Sequence, residues 1–235
     1  MNMTNNEAAH RLRMIARLDI VALLLDETYG PFVLQANGDA LAQLVATILS
    51  QHTSDINTAR SFASLRSTFP TWEDVERAPT DAVVDAIRSG GLATSKAPRI
   101  QDVLTDVRAR TGDYDIDGLA ELPLPEATQW LTSLHGVGPK TAACVLLFAL
   151  GMPAMPVDTH VHRISRRLGF IGDRTSAEKT EIVLEEMLGD NPQRVYAFHK
   201  GLIAHGKTLC KARVPLCAPC PLKDHCDYYS NLQQQ

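Results

Sequence analysis

The chain has 235 residues, 45% hydrophobic, 21% charged and 6% aromatic, with a formal net charge of −4. That composition suits a globular protein with a sizeable core and excludes a disordered chain or a polytopic membrane protein. The longest apolar run, Ala142 to Leu150, is far short of the ~20 residues that cross a bilayer, and MNMTNNEAAHRLRM lacks the apolar centre of a signal peptide, so a cytoplasmic protein without a membrane partner is expected.

In chain order, Arg11 to Thr28 predicts a helix with Leu18, Val21, Ala22 and Leu25 on one side, stopped by Tyr29-Gly30-Pro31. Asp39 is placed to cap the next helix, whose Leu41, Leu44, Val45, Ile48 and Leu49 follow helical spacing. The polar patch Ser50-Gln51-His52-Thr53-Ser54-Asp55 breaks it, and a further helix carries Ile56, Ala59, Phe62, Ala63 and Phe69. Thr71 with Asp74 resembles a capping box, and Thr80 starts a short helix ended by Gly90-Gly91. Ser95 leads a helix through Ile100, Val103, Leu104 and Val107, with Pro98 in its first turn. After the acidic loop Gly112 to Gly118, Pro125 opens a helix containing Trp130, Leu131 and Leu134. Further on, Val161, Ile164 and Leu168 mark a helix ended near Gly169, Thr175 with Glu178 starts another, and Asn191-Pro192 starts a last long one through Val195, Phe198, Leu202 and Ile203. No alternating apolar pattern and no internal repeat occurs, so the fold class is all-α.

The acidic total conceals an asymmetry. Residues 18–130 carry 8 Lys+Arg against 17 Asp+Glu, and residues 131–215 carry 11 against 7. The basic charge gathers around Gly136-Val137-Gly138-Pro139-Lys140-Thr141, although a plain solvated surface gives the same count. Proline is favoured at the first position of a helix, so a helix begins at Pro139. Its free amides, carrying partial positive charge, form a site for a phosphate, and Lys140 stands one residue inside it. After a loop marked by Pro153 and Pro156 comes Val157-Asp158-Thr159-His160, with Asp158 placed to cap another helix. A lysine and an aspartate beside a phosphate-binding hairpin point to chemistry on a nucleic acid. The plainer alternatives are a phosphate contact for Lys140 and a simple cap for Asp158.

Four of the five cysteines, Cys210, Cys217, Cys220 and Cys226, stand in the pattern C-x6-C-x2-C-x5-C. In a reducing compartment such crowding favours a metal site over disulfides. The single close pair suits an iron-sulfur cluster better than zinc, which usually takes two close pairs across a longer insert. Lys211 and Arg213 lie between the first two cysteines, where they serve a thiolate cluster, a DNA phosphate, or both. Cys144 in the apolar run is read as core, and His160, His162 and His205 as packing or surface residues.

LHGVGPKTA, VDTH and the four-cysteine tail, together with LSQHTSD and GLATSKA, resemble the endonuclease III family, DNA glycosylases and abasic-site lyases of the helix-hairpin-helix superfamily. The resemblance covers nearly the whole chain. It implies a two-lobed α-helical fold: an N-terminal helix within 1–38 that joins the iron-sulfur lobe, a six-helix domain over 39–152 with its helix-hairpin-helix at about 125–150, and a C-terminal iron-sulfur domain over 153–235. It implies a [4Fe-4S] cluster on Cys210, Cys217, Cys220 and Cys226, and a catalytic pair, Lys140 and Asp158. DNA contacts are implied from Gly136, Val137, Gly138, Lys140 and Thr141, and from gap-filling side chains at Leu92 and at Gln51 or His52. A gapless match puts His52 where that enzyme has a glutamine, with Gln51 adjacent.

The implied activity is that of a monomeric base excision repair enzyme acting on double-stranded DNA with a damaged base or an abasic site. It removes oxidised pyrimidines and cleaves the strand 3′ to the abasic site by β-elimination through a lysine Schiff base. A lysine amine, neutral at least transiently, attacks C1′ of a flipped nucleotide, and an aspartate stabilises the positive charge developing on the sugar. The alternatives are a monofunctional mismatch glycosylase, against which Lys140 counts, and a noncatalytic helix-hairpin-helix DNA-binding protein.

Overall fold

Apolar periodicity becomes helix throughout, and no strand occurs among the described residues. The computed structural model describes residues 5–234, with side chains from Glu7 onward; residues 1–4, at the start of the stretch read for a leader, lie outside them. The helices are α1 (Asn5–Tyr29), α2 (Ala40–Ser50), α3 (Asp55–Thr68), α4 (Trp72–Arg77), α5 (Thr80–Ile87), α6 (Ala93–Thr111), α7 (Leu124–Thr132), α8 (Pro139–Phe148), α9 (Thr159–Arg167), α10 (Ala177–Leu188), α11 (Pro192–Thr208) and α12 (Asp227–Leu232). They form two compact units: Gln35–Met152, and the described part of Met1–Leu34 together with Pro153–Gln235.

In the first unit α2 lies against α8, α3 and α6, and α5 and α4 also pack on α6. Leu44, Val45, Ile48 and Leu49 of α2 are fully buried, as are Ile100, Val103 and Leu104 of α6. Helix α8 is buried from Thr141 through Leu147, Cys144 included, which makes it the central helix of the unit. Glu76 of α4 accepts hydrogen bonds from Arg108 and Thr105 of α6 and from the Tyr114 hydroxyl, tying the short helix down. The expected caps form: Asp39 Oδ1 accepts from Ala42 N–H at 2.9 Å, and Thr71 with Asp74 makes a complete capping box.

In the other unit α1 lies along α11, and α11 also packs on α9 and α10. Leu18, Val21 and Leu25 of α1 and Val195, Phe198 and Leu202 of α11 are buried. The approach is close at Gly201, where an added Cβ would meet Leu25 Cβ at 2.9 Å. Asn191 caps α11 as expected, accepting from Arg194 N–H at 3.0 Å.

Four helix starts differ from expectation: α1 begins at Asn5 rather than Arg11, α7 at Leu124 rather than Pro125, and α6 and α10 depart as well. Helix α6 begins at Ala93, because Leu92 turns the chain with φ 51° and its carbonyl accepts from the N–H groups of Ser95 and Lys96. Pro98 therefore stands in the second turn, not the first. Helix α10 is capped by Ser176 rather than Thr175, its hydroxyl accepting from Lys179 N–H.

Candidate active site and metal centre

The hairpin is a product of local rules. Helix α7 ends at Thr132, Val137 N–H returns to Leu134 carbonyl at 3.1 Å, and Gly136 takes φ +76°, a left-handed turn that favours glycine. A Cβ at Gly136 would lie 2.7 Å from the Arg99 side chain, so the same glycine admits a close neighbour. Gly138 is extended, Pro139 is the first helical residue, and no side chain caps α8. Lys140, at the second helical position, is exposed, as are Gly136 and Gly138. The side chains of Val137 and Thr141 are buried, 5% and 6% exposed.

Two loops of the same unit hold the candidate gap-filling residues. His52 at φ 55° and Leu92 at φ 51° are the two described non-glycine residues in the left-handed region, and both side chains are exposed. Such a conformation costs roughly 1–2 kcal/mol and persists only where the surroundings enforce it. Gln51 points elsewhere: its Oε1 accepts from Arg99 Nη1 at 2.8 Å.

In the other unit Asp158 caps α9, with Oδ1 accepting from Val161 N–H at 2.8 Å, which leaves Oδ2 for another task. The loop before it is held by two residues that the sequence did not single out. His199 Nδ1–H donates to Pro156 carbonyl at 2.9 Å, and Glu185 Oε1 accepts from Met155 N–H at 2.8 Å. Burial raises the Glu185 carboxyl, and burial with the neighbouring carboxylates of Glu185 and Glu178 pushes Glu181 up to about 7. The flanking histidines have protein partners: His162 Nε2 meets Thr175 carbonyl at 2.8 Å, and His160 Nδ1 meets Arg163 at 3.1 Å.

Cys210, Cys217, Cys220 and Cys226 line one pocket between the ends of α9, α11 and α12. None is in a disulfide. Among the described residues no three His, Cys, Asp or Glu side chains converge on one point as a single-ion site requires. Burial, then the negative charge of sister thiolates, raises Cys217 and Cys226 and pushes Cys220 up to about 11. Four free thiols lining one pocket are a donor set that fits an iron-sulfur group.

Two arginines one turn apart, unmarked by the sequence reading, fasten the loop. Arg163 Nη2 donates to Cys210 carbonyl at 2.8 Å. Arg167 donates to Cys210 Sγ at 3.2 Å and to the carbonyls of Lys211 and Ala212 at 2.7 and 2.9 Å. Buried His205 lies between Tyr29 hydroxyl at 3.0 Å and Cys220 Sγ at 3.6 Å. Lys211 and Arg213 are exposed, with the Lys211 ammonium folded onto Lys207 carbonyl.

Residues 45–189 match the HhH-GPD superfamily base excision DNA repair protein family. The chain belongs to this superfamily. The endonuclease III of Sulfolobus acidocaldarius is 33% identical, over 86% of this chain and 88% of its own. That of Thermotoga maritima is 35% identical, over 81% and 84%. A solved structure described as a trapped endonuclease III–DNA covalent intermediate superposes with a TM-score of 0.74 at 28% identity, covering 95% of this chain and 98% of that one. The protein is thus a base excision repair DNA glycosylase of the endonuclease III type.

Proposed function

We propose that this glycosylase is bifunctional, releasing oxidised pyrimidines from double-stranded DNA and then cutting the strand through Lys140. The observation that carries the reading is the exposed Lys140 amine beside an uncapped helix start, in a chain 28% identical to a protein trapped on DNA as a covalent intermediate. The α8 amides hold a backbone phosphate, while the Lys140 amine forms a bond to C1′ of an everted nucleotide. The glycosidic bond breaks and the base leaves with a proton; the amine nitrogen then expels O4′, which takes a proton as the C1′–O4′ bond opens, and the Schiff base so formed acidifies C2′–H. Loss of that proton expels the 3′ phosphate. Asp158 Oδ2 opposes the positive charge that develops on the sugar and passes protons, while Oδ1 keeps α9 capped.

Cys210, Cys217, Cys220 and Cys226 would hold a [4Fe-4S] cluster, which supplies cross-linking of the C-terminal loop. Arg163 and Arg167 orient that loop and leave Arg213 outward for a phosphate. His52 and Leu92 occupy the gap left by the everted base, with Gln51 retained by Arg99. The enzyme works as a monomer. Incubation with a duplex carrying one oxidised pyrimidine tests the reading: free base and a 3′-cleaved strand are expected with no added lyase. Base release without strand scission, or no base release, overturns it.

A further inference from the structure

Lys96 is 2% exposed, and its Nζ donates to Leu49 carbonyl at 2.7 Å and Gly90 carbonyl at 2.9 Å. Burying an ammonium is costly, and burial holds this one below the ordinary lysine range. Its two partners are not arbitrary carbonyls. Leu49 is in the last turn of α2, three residues before His52, and Gly90 ends the short turn two residues before Leu92. The two segments touch, since a Cβ at Gly90 would lie 4.0 Å from Leu49 carbonyl oxygen. Carbonyl dipoles brought together this way repel, and the ammonium between them turns the repulsion into a bridge. One cation thus fastens the bases of the two loops that carry the left-handed, exposed residues His52 and Leu92.

We propose that Lys96 is a positioning residue for base eversion, clamping the two loops so that His52 and Leu92 enter the duplex at a fixed separation. The proposal rests on the gap-filling roles given to those residues above. A rigid pair meets a gapped duplex without further ordering, so the clamp acts on the preference for an extrahelical or missing base and leaves general grip on phosphates alone. A lysine that only fills a core would affect both alike.

The test compares two duplexes, one with a tetrahydrofuran abasic analogue that no lyase cleaves and the same duplex undamaged, titrated by anisotropy with the full chain. Lys96→Met keeps the apolar stem and removes charge and donors. Its preference for the analogue is expected to fall at least ~10-fold below wild type, with affinity for undamaged duplex within about twofold. Lys96→Gln, uncharged but still a donor, falls between, and it carries the test alone if circular dichroism finds Lys96→Met unfolded. Parallel loss of both affinities, or an unchanged preference in a folded variant, overturns the clamp. A wild type with no preference for the analogue overturns the clamp and the gap-filling roles together, while base release from damaged duplex in that protein leaves the glycosylase reading standing.

Discussion

Helices α8 and α9 begin in opposite ways. Glycine and proline open α8 at Pro139 and leave its amides without a side-chain cap, whereas Asp158 closes α9 with a 2.8 Å hydrogen bond to Val161 N–H. The open start is ready for a charge from outside the chain. The closed one spends half a carboxylate on the fold and has half left for chemistry. A helix terminus in this protein is therefore either stabilised or available, and the residue before it decides which.

The largest effect is expected from removing Lys140. Lys140→Ala is expected to lower strand cleavage by on the order of 10³-fold or more, with stability inside about 0.5 kcal/mol because the side chain is exposed. Nicking of abasic duplex and thermal melting measure the two quantities. Asp158→Asn sharpens the other side. Asparagine caps as well as aspartate, so Tm stays put while cleavage falls roughly 10²-fold; Asp158→Ala loses about 1 kcal/mol of cap in addition.

Closing the open start is a milder intervention. Gly138 has an extended backbone and nothing within 4 Å of an added Cβ, so Gly138→Asp fits and caps α8. Stability is expected to rise by a few tenths of a kcal/mol while affinity for duplex DNA falls about 10-fold, since the new carboxylate takes the phosphate site. Equilibrium binding together with melting reads both.

A last effect, on stability alone, concerns the support behind Asp158. Glu181 stands one turn before Glu185, and its carboxyl is raised to about 7 by burial first and by Glu185 and Glu178 next. A carboxyl raised on folding favours the folded state below its unfolded pKa, and that contribution disappears as pH climbs through about 7. Glu181→Gln is therefore expected to raise Tm at pH 8, by at most about 3 kcal/mol of stability, and to change it little at pH 4. A melting series from pH 4 to 8 gives the sign.

Both helix starts were legible in the chain, because proline at the first helical position and aspartate before Thr159 act within a few residues. The cysteine spacing was legible for the same reason. What sequence left hidden acts at long range: Lys96 reaches a carbonyl 47 residues away, Arg99 reaches Gln51 over 48, and Arg163 and Arg167 fasten a loop more than 40 residues on. Composition gives no warning of a buried lysine, since the residue is ordinarily on the surface. The start of α6 was misplaced because a left-handed leucine has no sequence signature, and the Arg99 hold on Gln51 separated that residue from the adjacent His52.

The proposed nucleophile is the amine beside the open helix start. Borohydride reduction during reaction with abasic duplex, followed by digestion and mass spectrometry, identifies it. The sugar remnant is expected on the peptide containing Lys140 and on none in Lys140→Ala. A remnant on another lysine, or an undiminished adduct in Lys140→Ala, rules out Lys140 as the nucleophile.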